Sequence, residues 1–179
     1  ENDSGQYNDE IEVFWATGAC FFIRKEVYRT LQGFDDDFFA HQEEIDLCWR
    51  AFNKGYSIKY NHKSTVYHVG GATLQHINPR KTFLNFRNSL IMLVKNLPTS
   101  SLFQVLFMRL ILDGIAGIRF LIQGNFWHFW AIIRGHFSFY SLFSKNYKKR
   151  AHFQSKAYYK TKSIVFGYYI KSGTIFGNL

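Results

Sequence analysis

The spacing of apolar and polar positions changes character along the chain. Ile11-Glu-Val-Phe-Trp15 alternates with a period of two, and Ala19-Cys-Phe-Phe-Ile23 is a short apolar run; both predict strands, the second buried. Arg24–Gln32 predicts a short helix ended by Gly33, and Asp35-Asp36-Asp37 a loop. Gln42–Lys54 is the clearest helix. Ile45, Cys48, Trp49 and Phe52 fall on one apolar face, and Gly55 closes it. Ser57–Tyr60 and Ser64–Val69 predict two more short strands. Asn78 can cap the next helix, with Pro79 at its first position, Pro98 beyond its end, and Phe83, Phe86, Leu90 and Leu93 along one face. Two long apolar, aromatic stretches follow, Leu102–Gln123 and Phe126–Phe143, separated by Gly124-Asn125 and followed by the basic run Lys145–Arg150. The pattern therefore predicts an α/β piece to about residue 75, then a basic, amphipathic helical tail.

Composition narrows this reading. A length of 179 residues suits about one domain, and 47% hydrophobic residues with 13 Gly and only 2 Pro exclude a disordered or fibrous chain. The net charge of +9 conceals a split. Twelve of the 13 acids lie in residues 1–46 against three basic residues, for −9; the other 133 residues hold 19 basic residues and one acid, Asp113, for +18. Such a division points to two jobs, an acidic site and a basic surface that faces something anionic. Cys20 and Cys48 lack metal-ligand spacing and make no disulfide framework, which fits a reducing compartment. The opening Glu1-Asn2-Asp3-Ser4 is neither a signal peptide nor an initiator, and reads as the middle of a longer protein. The longest uncharged run of the apolar half, Phe120–Ile133, falls short of the roughly 20 residues of a spanning helix, so a spanning segment would have to carry charge.

Few residues are candidates for chemistry. On the Gln42–Lys54 helix, Glu43, Asp46 and Arg50 share the polar face, whereas Glu44 lies beside Cys48 at the edge of the apolar one. A carboxylate there could act as a general base toward a hydroxyl; equally, acids in a first turn complement the helix dipole. His68 ends a strand-like run before Gly70-Gly71, where an imidazole can bind a metal or a phosphate, or be structural. His41, His62 and His76 have nothing nearby to give them a role. The basic tail has three readings: a helix pair at a membrane interface, burial against the α/β piece, or binding of single-stranded nucleic acid. The last ranks lowest, because the aromatics sit among Leu and Ile and are not interleaved with Lys and Arg.

Read together, Ala16-Thr-Gly-Ala-Cys20, Gly33-Phe-Asp-Asp-Asp-Phe-Phe-Ala-His41, Glu43-Glu-Ile-Asp-Leu-Cys-Trp-Arg50, Gly55-Tyr56, Val66-Tyr-His-Val-Gly-Gly71 and Lys81-Thr-Phe-Leu-Asn-Phe-Arg-Asn88 resemble family 2 glycosyltransferases, specifically the C-terminal half of bacterial, rhamnosyltransferase-like members with a GT-A (Rossmann-like) fold. The resemblance covers residues 13 to about 150, and its specificity lies in the order and intervals of modest motifs. It implies four parts: the C-terminal half of a GT-A domain over 1–76, a linking helix over 77–100, membrane-associated amphipathic helices over 101–150, and a basic tail over 151–179.

The resemblance also implies roles. Glu44 takes the place of the base that deprotonates the acceptor in an inverting displacement, normally an Asp, and Glu43 that of an acceptor contact. Thr17, Gly18 and Ala19 match the acceptor side of the pocket, and His68 the His that helps hold a divalent metal (Mg or Mn) or the nucleotide diphosphate. Most metal ligands, including an Asp-x-Asp motif, belong to an N-terminal half that does not precede residue 1; Asp35-Asp36-Asp37 lies downstream of that motif's place. The expectation is a fragment, inactive alone, of an enzyme that moves a sugar from a nucleotide-sugar donor to a glycan or lipid-linked acceptor in cell-surface polysaccharide synthesis. It would work against the anionic cytoplasmic face of the bacterial inner membrane, without nucleic acid. The alternative is a non-catalytic basic membrane-binding or scaffolding module.

Overall fold

A computed structural model describes residues 5–68, 78–150, 154, 158 and 159. Their architecture is mostly helical. Strand β1 (Glu12–Val13) pairs antiparallel with β2 (Ile58–Lys59), Glu12 opposite Lys59 and Val13 opposite Ile58. Between them lie helix α1 (Lys25–Thr30) and helix α2 (Glu43–Asn53). Three helices follow: α3 (Pro79–Asn96), α4 (Thr99–Ile122) and α5 (Phe126–Lys148).

The helices form where local chemistry dictates. Asn78 Oδ1 accepts the Arg80 amide at 2.9 Å, and Pro79 gives α3 its first position. Gly124, at φ +73°, provides the left-handed residue between α4 and α5. The strands are far smaller than the period-two pattern predicts. Residues 19–23 are irregular, not a buried strand, and Phe22 is 94% exposed. Residues 64–68 are likewise irregular; Val69 and Gly70-Gly71 lie outside the described residues, as does His76. A strand needs a neighbour to take its N–H and C=O groups, and among the described residues these segments have none.

The core forms around α3, which packs against α2, α4 and, most extensively, α5. Leu90, Ile91, Val94 and Leu97 meet Phe38, Trp49, Leu102, Leu106 and Phe139 in one cluster. The predicted row of Phe83, Phe86, Leu90 and Leu93 is thus only part of the buried surface of α3, because neighbours cover it on several sides. A smaller cluster joins Leu31, Leu47 and Ala51 to Phe21, Val27 and Tyr28. Gly135 allows α5 to close on α3: a Cβ there would lie 3.2 Å from the Phe83 carbonyl oxygen. The helices of the basic half are therefore part of the core on one side. On the other, α4 exposes Phe103, Phe107, Ile111, Ile115, Ile118 and Ile122.

The acidic loop is tied to the same body. Asp46, 0% exposed, accepts from Arg50 Nε, Lys95 Nζ and Asn96 Nδ2, each at 2.8 Å. Lys95, 3% exposed, also donates to Asp35 Oδ2 at 2.6 Å, and Lys149 reaches both Asp35 and Asp37 at 2.7 Å. Burial pushes the Asp35 carboxyl up, but hydrogen bonds from Lys149 and Lys95 outweigh it and hold the group well below the usual carboxylate range. Asp37 is lowered in the same way: burial opposes, and Lys145 and Lys149 prevail. Of the three residues expected on the polar face of α2, Asp46 and Arg50 form an ion pair, but Asp46 is core, not polar surface, and Glu43 takes no part in the pair.

Candidate active site

The turn that enters α2 carries the candidate chemistry. Phe39 (φ +61°), His41 (φ +68°) and Gln42 (φ +70°) all occupy the left-handed region, which costs a non-glycine residue free energy and persists only when its surroundings over-determine it. Here α3 supplies the constraint. Asn88 Nδ2 donates to the carbonyls of Phe38 (3.0 Å), Ala40 (2.8 Å) and His41 (2.8 Å). Arg87 Nη2 donates to those of Asp37 (2.8 Å) and Phe38 (3.1 Å), and Gln42 Nε2 to that of Asn85 (3.2 Å). The Gln42 carbonyl then accepts the first helical amide, from Asp46.

Four consecutive side chains on this turn each bury a polar atom that has no hydrogen-bond partner among the described residues: His41 Nε2, Gln42 Oε1, Glu43 Oε2 and Glu44 Oε2. Buried polar atoms are nearly always paired, and each exception asks for an explanation. Four in a row, two of them carboxylate oxygens, mark a place where something else supplies the partners. Burial pushes the Glu43 carboxyl up; its own backbone amide opposes this and the neighbouring Glu44 charge adds to it.

The predicted acceptor residues come to the same place in part. A Cβ on Gly18 would sit 3.6 Å from Glu44 Cδ, so the Thr17-Gly18-Ala19 turn lies directly against the Glu44 side chain. Thr17 and Ala19 line a cleft of about 890 Å³ whose floor includes Leu47, Cys48 and Ala51 of α2. Cys48 is a free, buried thiol that burial pushes up, and Cys20 is free and exposed. Glu43 and Glu44 stand outside the cleft lining, and Gly18, between the lining residues Thr17 and Ala19, links Glu44 to it.

His68 is exposed, in an irregular segment. Among the described residues no three His, Cys, Asp or Glu side chains are grouped to hold a metal ion. Spacing alone missed His41 and Gln42: neither is a glycine, so nothing local announces their left-handed backbone. The two buried polar residues Asn88 and Lys95, set among Leu90, Ile91 and Val94, were the available signal that α3 holds a polar partner.

Among the described residues no helix is long and apolar enough to cross a membrane. No curated protein and no solved structure matches the chain significantly. A family model described as glycosyl transferase family group 2 matches residues 5–144, 140 of the 179. Spanning both the Gly18 turn and the Glu43-Glu44 helix start, that match makes the chain a member of glycosyl transferase family group 2.

Proposed function

We propose that the chain carries the acceptor side and the base of an inverting sugar transfer, with Glu44 as the base. The observation that carries this is the unpartnered, buried Glu44 Oε2 set against the Gly18 turn. An acceptor hydroxyl that donates to Glu44 supplies the missing partner. Its O–H bond breaks as the new bond to the anomeric carbon forms, the proton passes to Glu44, and the bond to the nucleoside diphosphate breaks, the leaving oxygen taking the electron pair. The Glu43 carboxyl, raised by burial, contacts the acceptor and donates a hydrogen bond when protonated. No step needs His68.

The acceptor is a glycan or lipid-linked saccharide of a cell-surface polysaccharide, the donor a nucleotide sugar, and the setting the anionic cytoplasmic face of the bacterial inner membrane. The exposed apolar row of α4, beside a half that carries one acid, supports this setting. The same row favours a second reading, a membrane-binding module without catalysis. Transfer kinetics of Glu44→Gln in the full-length enzyme separate the two. Loss of turnover with membrane binding intact supports the base; unchanged turnover removes it.

A further inference from the structure

A second cavity, of about 420 Å³, lies where the start of α3 meets the start of α5. Its walls carry Arg80, Phe83, Trp127, Trp130 and Arg134. Both arginines are exposed, and neither pairs with a carboxylate among the described residues. Asp113, the one acid after residue 46, is already held by Arg109 at 2.7 Å and His136 at 3.0 Å. The indoles are open to solvent as well, Trp127 at 68% and Trp130 at 45%. Arg134 lies over the Phe83 ring at 5.7 Å and Arg80 over the Phe39 ring at 5.0 Å, which keeps both guanidiniums in place beside the cavity. Phe39 is four residues from Glu43, on the same left-handed turn.

Two forked cations without counter-ions select a phosphoryl group, which they can grip bidentately. The neighbourhood selects its carrier. Trp127 meets Phe126 at 5.8 Å, and the adjoining α4–α5 turn exposes Ile118, Leu121, Ile122 and Phe126. Aromatic residues with arginine beside an apolar surface suit the boundary between lipid headgroups and acyl chains.

We propose that this pocket holds the phosphoryl headgroup of a lipid-linked acceptor, with the Trp127 and Trp130 indoles against its lipid-proximal part, and so presents the attached saccharide to Glu44. The assignment rests on the transfer reading above and names its substrate class.

Flotation of the full chain on phosphatidylcholine vesicles doped with a long-chain alkyl diphosphate, against vesicles carrying equal charge as phosphatidylglycerol, tests it. Binding is tighter to the diphosphate vesicles. Arg80→Gln and Arg134→Gln each weaken that binding about tenfold, their lysine counterparts recover only part, and Arg119→Gln, in the last turn of α4 and outside the pocket, leaves it unchanged. Trp127→Ala weakens binding without altering charge. An equal loss in Arg119→Gln would reduce the effect to net charge and overturn the pocket. Competition by inorganic pyrophosphate at the affinity of the lipid would make it a site for a free anion and overturn the lipid assignment. Glu44→Gln floats normally, so a failed pocket and a failed base are told apart.

Discussion

Asp46 and Glu44 lie two residues apart on α2, and their surroundings are opposite. Asp46 is sealed from water and meets three donors, from Arg50, Lys95 and Asn96. Glu44 keeps a buried oxygen without any partner among the described residues, at the end of a turn held in left-handed backbone. A satisfied buried carboxylate fixes structure. An unsatisfied one is open to a partner from outside the chain, such as a ligand hydroxyl. The same helix thus separates stability from reactivity, within about one turn.

The largest effect expected is on the reactive side. Glu44→Gln lowers sugar transfer about 10²- to 10⁴-fold, with the melting temperature and membrane binding unchanged; a melting temperature that falls with activity would make Glu44 structural like Asp46. Lys95→Met probes the structural side. It takes one of three donors from the buried Asp46 and removes a tie to Asp35, and is expected to cost about 2–3 kcal/mol in denaturant unfolding. Asn88→Ala should blur the two regions, because it withdraws the donor from three carbonyls of the turn. A loss of about 1–3 kcal/mol, accompanied by a fall in kcat larger than any change in KM, would show that α3 positions the carboxylates.

Acid titration sharpens the contrast further. Asp35 and Asp37 are depressed in the folded chain, so their contribution is present above the ordinary value of 3.8 and lost as pH falls below it. Lys149 is raised, so its share is present below 10.5 and lost as pH climbs beyond it. Thermal melts across pH should therefore lose stability at both extremes, and Lys149→Met should flatten both limbs. Glu43 has the opposite sign to Asp35: its raised carboxyl binds a proton more readily when folded, so stability falls as pH rises through the ordinary value of 4.5. Glu43→Gln should give the smallest effect, a slight rise in melting temperature at neutral pH that disappears in acid.

What the sequence made legible follows from the range of the interactions involved. The helices α2 to α4 and the start of α5 were readable to within a few residues, because capping by Asn78, the two prolines, Gly124 and the apolar periodicity all act locally; α5 itself continues into the basic run, to Lys148. The strands were not, since pairing of Glu12 with Lys59 is decided by partners far away in the chain. Glu43 and Glu44 were found through motif resemblance, and spacing alone left them undistinguished from acids that complement a helix dipole. The contact of Glu44 with Gly18 and the grip of Asn88 are long-range facts that only the fold supplies. The clamp on Asp35 and Asp37 was missed for the same reason: its lysines lie on α3 and at the end of α5.

That clamp also sets a timetable. Lys149 is 114 positions downstream of Asp35, so a ribosome adding roughly 5–20 residues per second makes it roughly 6–23 s after the aspartate, whereas Lys95, the other partner, follows after only 60 positions. Until then the Asp35–Asp37 loop is held by α3 alone, and the apolar surface of α3 that α5 covers stays open. The clamp on the loop that leads into the reactive turn is thus completed last, by the synthesis of a helix far from it in the chain, and a chain stalled before α5 would present a chaperone with a half-built core.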